Sequence, residues 1–307
     1  MNSNNNLNNI LVSGATGFLG SKVILKLCHL GYNVTGISRT LQARKDSPQL
    51  HNLKWLVRDI STIPITTEEA CCFDTIIHLA GATEGRGEDR YMHLYANEMT
   101  TIGLTSHEAP SIEKFIFAST QVVYGNPNSL SVDENYPMDP SYSNYATSKI
   151  NAENWLKSYQ AKTCNMTMSL RLSGFINGGG LIDSIIDDCL KGRPIELFNY
   201  GRTCRDYIQT DVFIDILILL LQQASSNEYT TLNIGLGQVT SAFEIASLIK
   251  YQTRSGSEIV LSSKQPRRDN FIFNLDKLIE KTNFQPPSLK QLILDYLQIK
   301  IHDSNLS

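Results

Sequence analysis

Tyr145 and Lys149 stand four residues apart in the run Tyr145-Ala146-Thr147-Ser148-Lys149, a spacing that stacks a phenol and an ammonium on one face of a helix. A free tyrosine titrates near ~10 and is a poor base at neutral pH, but a neighbouring cation favours the phenolate and lowers that value. A drop of about three units corresponds to roughly 4 kcal/mol of differential interaction between the two protonation states. The pair can therefore give and take a proton at a substrate oxygen. The same spacing recurs by chance on many solvent-facing helices, so it needs a second signal.

That signal lies near the start of the chain. Asn9-Ile10-Leu11-Val12-Ser13 reads as a short apolar strand running into Gly14-Ala15-Thr16-Gly17-Phe18-Leu19-Gly20. Glycines at positions one, four and seven let backbone approach a pyrophosphate closely, and a helix starting there turns its unsatisfied amides and positive dipole end toward the phosphate charge. Val34-Thr35-Gly36-Ile37-Ser38 follows as a second strand, completing a strand-helix-strand unit.

Further motifs extend the pattern over nearly the whole chain: Asp59-Ile60, His78-Leu79-Ala80-Gly81, Asn97, Ser119-Thr120-Gln121-Val122-Val123-Tyr124-Gly125, Arg205-Asp206-Tyr207-Ile208 and Asn233-Ile234-Gly235. Together with the glycine turn and the Tyr-Lys pair, they resemble the extended short-chain dehydrogenase/reductases, in the branch of nucleotide-sugar epimerases, dehydratases and reductases. The resemblance implies an α/β fold: a Rossmann-type doubly wound parallel sheet with a smaller C-terminal substrate-binding lobe.

It also implies residue roles. Gly14, Thr16, Gly17, Phe18, Leu19 and Gly20 would hold the dinucleotide phosphates, Asp59 and Ile60 would flank the adenine, and Leu79, Ala80 and Gly81 would form the turn on the pyrophosphate side. Tyr145 would be the acid/base, Lys149 would hold the nicotinamide ribose and lower the Tyr145 pKa, and Thr120 would polarise the substrate oxygen. Asn97 would support the helix behind the site. Asn177, Arg205 and Arg268 would face the nucleotide diphosphate of the substrate. Family members carry Asn-Val-Tyr-Gly-Pro after the sixth strand, whereas this chain reads Ser173-Gly174-Phe175-Ile176-Asn177, with Gly174 in place of the phosphate-touching asparagine. A homodimer through a helix pair is the implied assembly.

The end of the second strand decides between cofactors. NAD enzymes place an acid there for the ribose 2′-hydroxyl, but this chain reads Ser38-Arg39-Thr40. An arginine can bind a 2′-phosphate bidentately, and the missing acid removes the repulsion that would reject it. NADP(H) is favoured, with NAD(H) as the alternative.

Composition narrows the rest. A formal net charge of -3 with no basic block argues against nucleic acid or anionic membrane as the main partner. The six cysteines show no metal-ligand spacing and no disulfide framework, which fits free thiols in a reducing cytosol and no metal site. The polar start Met1-Asn2-Ser3-Asn4-Asn5-Asn6 lacks the features of a secretory signal. Phe213 to Leu221 is apolar but interrupted by Asp215 and too short to span a bilayer, so it reads as a buried helix.

Apolar runs at Ile10-Ser13, Val34-Ser38, Lys54-Arg58, Thr75-Leu79, Phe115-Ser119 and Met166-Arg171, separated by helix-length segments, call for a parallel sheet covered on both faces. The catalytic helix is expected from about Ser143 to Gln160, with Ser141 and Ser143 as caps. A nucleotide-binding domain over residues 1–173 and a substrate lobe over 174–307, some of whose segments return to the sheet, is the expected division.

Dehydratases of this family place an Asp-Glu pair after the catalytic threonine; here Gln121 and Val122 leave no carboxylate for elimination. Reduction and epimerisation remain. The Arg39 signal tilts the reading to NADPH-dependent reduction of a nucleotide-linked 4-keto-6-deoxyhexose at C4, with a nucleotide-sugar 4-epimerase as the alternative and a catalytically silent NADP sensor or scaffold behind both. The segment between Gly81 and Asn97, with Glu84, Arg86 and Glu88, is expected to shape that choice.

Overall fold

The computed structural model of the chain describes residues 9–40, 50–83, 89–107, 111–265 and 270–306. The chain forms two compact units that interleave: Met1–Val123, Met138–Arg171 and Gln223–Thr231 make the first, and Tyr124–Pro137, Leu172–Gln222 and Leu232–Ser307 the second. A single cut at residue 173 falls beside the Arg171 to Leu172 change. The segments Tyr124–Pro137 and Gln223–Thr231 lie in the unit opposite to the one such a cut assigns.

The main sheet consists of β1 (Asn9–Ser13), β2 (Asn33–Ser38), β3 (Leu53–Val57), β4 (Thr75–His78), β5 (Lys114–Thr120), β6 (Met166–Leu172) and β7 (Tyr229–Ile234), all but the ends of β6 and β7 within the first unit. Their order in the sheet is β7-β6-β5-β4-β1-β2-β3. The ladders from β5 through β3 are parallel. Ile10, Leu11 and Val12 of β1, and Phe115, Ile116 and Phe117 of β5, are fully buried, as strands covered on both faces require. The chain runs outward from β1 to β3, then crosses back to β4 on the other side. The switch point between β1 and β4 leaves a crevice beyond their C-terminal ends, where α/β sheets bind ligands.

Two helices flank that crevice. Helix α1 (Phe18–His29) buries Val23, Ile24, Leu27 and Cys28 and ends on Lys26 and His29, cations suited to a helix C-terminus. Helix α2 (Asn144–Thr163) is capped by Ser143, whose hydroxyl accepts from Ala146 N, and stops at Cys164 in the left-handed region, φ 54°. The other expected cap, Ser141, is spent elsewhere: its amide and hydroxyl donate to Asp139 Oδ1 at 2.9 and 2.6 Å. After β4 the chain forms an α-turn at Arg90–His93, a π-helix at Leu94–Met99 and a further α-segment at Thr100–Thr105.

The second unit has short parallel ladders pairing Gly174–Phe175 with Tyr207–Ile208, Ile195–Leu197 with Ile259–Leu261, and Ser131–Val132 with Ile272–Phe273. Its core gathers Ile185, Ile186, Ile245, Ile249 and Ile293 from three helices. The apolar run expected as a buried helix forms one, Thr210–Leu221. Beneath these lies Asp206, 1 % exposed, accepting from Leu236 N at 2.8 Å, Gly237 N at 3.0 Å and Phe273 N at 2.9 Å. Among the described residues no helix is long and apolar enough to cross a membrane, and no cluster of His, Cys, Asp and Glu could hold a metal ion.

Candidate active site

The glycine turn works by close approach. Gly14 adopts φ +69°, and a Cβ there would stand 2.6 Å from Ala80 N in the turn after β4; only glycine fits both constraints. A Cβ at Gly20 would run into Gly14 O, so the first turn of α1 packs directly on the loop. Gly17 closes the turn by donating to Gly14 O at 2.9 Å and caps α1 with no side-chain hydrogen bond. The cap residue therefore has no side chain of its own to compete for the first-turn amides that an anion would take.

A groove of about 450 Å³ follows from there, lined by Gly14, Thr16 and Gly17 from the first turn, by Leu79, Ala80 and Gly81 from the second, and by Ser38, Arg39, Asp59 and Ile60 toward β2 and β3. Ten of the expected cofactor residues thus share one cleft. Phe18, Leu19 and Gly20 open α1 and do not line it. At the far end Arg39 is exposed. Ser38 Oγ is already engaged, donating to Thr40 O at 2.8 Å, and Asp59 Oδ1 accepts from Ser61 N at 3.0 Å and Ser61 Oγ at 2.6 Å. Arg58 also lines the groove, but its guanidinium is held bidentately by Glu69 at 2.8 and 2.6 Å. A long groove with amides at its middle and an exposed arginine at one end fits a dinucleotide.

Beside the other end stand the three residues with acid/base potential. Thr120 closes β5 and Tyr145 and Lys149 lie on α2, all three buried. Burial raises the Tyr145 phenol to about 12, against which a hydrogen bond with Thr120 lowers it. Burial depresses the Lys149 amine to about 7, against which Glu153 raises it. The expectation that Lys149 lowers the Tyr145 pKa is therefore not met: Lys149 Nζ donates to Ala118 O at 2.8 Å and lies 4.6 Å from the Phe117 ring centroid, so its charge is spent on β5. Desolvation governs both groups. Lys149 Nζ does not line the groove but lies close to Gly81, which does: a Cβ there would stand 3.2 Å from it.

Polar side chains lock this corner. Asn97, on the π-helix, accepts from Ala82 N at 3.0 Å and donates to Ser148 Oγ at 2.8 Å, and Ser148 Oγ donates to Tyr145 O at 2.8 Å. Asn97 thus bonds α2 as well as supporting its own helix. His78 continues the chain of bonds. Thr101 Oγ1 donates to Asn97 O at 2.6 Å, so at 2.9 Å it accepts from His78 Nε2. His78 Nδ1 is then free to accept from Ser13 Oγ at 2.7 Å. Burial and the charge of Lys149 hold the His78 pKa well below its ordinary value, which suits this single neutral tautomer.

Two neighbours carried no signal in the sequence. His93 is buried with its ring 5.5 Å from that of Tyr145, and nothing in its local run distinguishes it from a surface residue. Glu153, two helical turns beyond Tyr145, is fully buried where a glutamate on a helix ordinarily faces water.

Of the expected substrate-side residues, Asn177 accepts from Thr210 Oγ1 at 2.9 Å, and Arg205 has a buried Nε without a hydrogen-bond partner; both lie in the second unit. Arg268, and the segment with Glu84, Arg86 and Glu88, lie outside the described residues.

Known proteins share this sequence and architecture. The chain is 28% identical over 260 residues to a putative UDP-glucose 4-epimerase of Methanocaldococcus jannaschii, covering 79% of this chain and 82% of that protein. Among solved structures, the UDP-glucose 4-epimerase of Thermotoga maritima with UDP-glucose superposes with a TM-score of 0.79 at 22% identity, over 97% of this chain and 100% of that one. The UDP-glucuronic acid 4-epimerase of Bacillus cereus, in complex with UDP-glucuronic acid and NAD, gives 0.78 at 21% identity over 94% and 99%. At these identities the structures establish the Rossmann-type fold. With its family model matching residues 10–235, the chain belongs to the NAD dependent epimerase/dehydratase family, the extended short-chain dehydrogenase/reductase branch that acts on nucleotide sugars.

Proposed function

We propose that this chain is a nicotinamide-dependent 4-epimerase of a nucleotide-diphosphate sugar. The observation that carries this reading is the meeting of Thr120, Tyr145 and Lys149 beside the glycine-lined groove, with Gln121 and Val122 offering no carboxylate for elimination. The relatives named as 4-epimerases support epimerisation over net reduction of a 4-keto sugar, and make a UDP-hexose the first substrate to try.

In this reading Tyr145 takes the proton of the sugar 4-hydroxyl and later returns it, while the Thr120 hydroxyl holds the phenol and the reacting oxygen in line. A nicotinamide held by the glycine turn and Lys149 would supply reversible hydride chemistry at the sugar C4. Lys149 holds the ribose next to Gly81. The buried surroundings of Tyr145 exclude water from the proton transfer. Asn177, Arg205 and Arg268 remain the candidates for the substrate diphosphate, which arginines bind through charge-assisted hydrogen bonds.

Arg39 is the observation that favours NADP(H), and with it net reduction; the Bacillus cereus neighbour was solved with NAD. Fluorescence titration decides the cofactor: weaker NADPH binding with unchanged NADH binding in Arg39→Ala supports the 2′-phosphate contact, and equal wild-type affinities remove it. Incubation with UDP-hexoses and 4-keto derivatives, read by NMR and by NADPH absorbance, decides the reaction. Isomer formed without net consumption of NADPH supports the epimerase; NADPH consumed in proportion to product refutes it. Tyr145→Phe should reduce turnover by about 10²–10⁴-fold while cofactor still binds.

A further inference from the structure

Tyr145 and Lys149 have a third ionisable neighbour on the same face of α2. Glu153 follows Lys149 by one turn and is fully buried, with Arg171 and Ser119 each 3 % exposed around it. Its carboxylate closes a knot of charge-assisted bonds. Ser119 Oγ donates to Oε1 at 2.5 Å, Arg171 Nε donates to the same oxygen at 3.1 Å, and Arg171 Nη2 donates to Oε2 at 2.8 Å. Ser119 immediately precedes Thr120 on β5, and Arg171 lies on the adjacent strand β6. One carboxylate thus joins α2 to two neighbouring strands, one turn beyond Lys149 and at the residue next to Thr120.

Cohesion alone does not call for charge at this place. Replacing a buried ion pair with apolar residues of similar volume is often neutral or stabilising, so a buried glutamate here directs attention to a neighbour that a negative charge would serve. The nearby candidate is Lys149, which has a carbonyl and an aromatic face but, among the described residues, no direct ion pair.

The charged and titratable groups around Lys149 can be named by element. Tyr145 and Glu153 share its helix; β4 brings the neutral His78; the helical segment before Asn97 brings His93 against Tyr145; β6 brings Arg171 across Glu153; β7 brings Tyr229, which feels the Glu153 charge. Of these, Glu153 is the one that favours the ammonium. We propose that Glu153, clamped by Arg171 and Ser119, is a positioning residue that keeps Lys149 an ammonium and holds the α2 face in register with Thr120. This inference rests on the cofactor site of the proposed function.

The test is NADH binding by the full chain, followed by fluorescence from about pH 6 to about pH 10, with turnover measured alongside. Two variants are compared: Glu153→Gln, and Glu153→Gln combined with Arg171→Gln, which leaves no unpaired charge. Both should move the alkaline loss of NADH affinity down by about one pH unit, roughly fivefold weaker binding at the wild-type midpoint and about tenfold weaker well above it. Lys149→Arg, charged without help, should lose that alkaline limb and should show no shift when Glu153→Gln is added. A folded double variant with an unshifted midpoint overturns the proposal, as does an alkaline limb that survives Lys149→Arg. If neither Glu153 variant folds, the carboxylate is a structural member and the proposal falls. A wild-type chain that binds neither NADH nor NADPH refutes the proposed function itself.

Discussion

Asp206 offers the sharpest test of how the second unit is held together. Replacing it with alanine strands two buried backbone donors, on Leu236 and Phe273, and a half-buried one on Gly237. Each orphaned donor costs about 1–3 kcal/mol, less what is recovered by no longer desolvating a carboxylate. Burial raises the Asp206 pKa and the amides lower it, so the recovered part is real, and the net loss for Asp206→Ala should be about 3–5 kcal/mol. That is a large share of the roughly 5–15 kcal/mol that holds a typical domain together. Asp206→Asn is the more telling variant. Its volume is unchanged, but whichever way the amide is turned its NH₂ meets at least one backbone N–H, because both carboxylate oxygens accept. A loss of about 2 kcal/mol or more is expected. Urea unfolding followed by far-ultraviolet circular dichroism and by intrinsic fluorescence gives both numbers, with coincident transitions required for a single free energy. An Asn variant within about 0.5 kcal/mol of wild type would mean that the amides find other acceptors and that the carboxylate is not the clasp.

Two more outcomes concern the glycine turn and Lys149. Gly20→Ala puts a methyl group into the Gly14 carbonyl, while a Cβ at Gly180 meets nothing within 4 Å. The former should therefore lower stability by about 1–3 kcal/mol and weaken NADH binding at least tenfold, with Gly180→Ala close to wild type in thermal melting and NADH titration. Lys149, depressed from 10.5 to about 7 by burial, binds fewer protons folded than unfolded between those values. Wild-type stability without cofactor should therefore rise with pH across that window relative to Lys149→Met, and thermal melts at several pH values would show no such divergence if the amine were normally charged.

What the sequence made legible was what backbone geometry demands of particular letters. Gly14 and Gly20 sit where a Cβ has no room, so no other residue could have disguised the turn. The strands buried on both faces announced themselves as apolar runs. β7 was not legible as a strand, because Thr230, Thr231 and Asn233 interrupt its apolar pattern; Asn233-Ile234-Gly235 stood out only as a motif. The π-helix at Leu94–Met99 depends on packing rather than on any residue type. Spacing placed Lys149 on the face of Tyr145 but could not say where its flexible chain would end, and it ends on Ala118 O. Glu153 was illegible for the opposite reason: its partner Arg171 lies 18 positions away, and only the sheet brings them together.

The place of β7 in the sheet has a consequence for how the molecule is made. β6 is complete at Leu172, but the strand that covers it begins only at Tyr229. During synthesis β6 therefore spends more than fifty residues of chain growth as an open edge, its amides and carbonyls free to pair with another chain. A polypeptide truncated near residue 173 would keep that edge permanently and should aggregate, even though the glycine turn, Thr120, Tyr145 and Lys149 are all present in it.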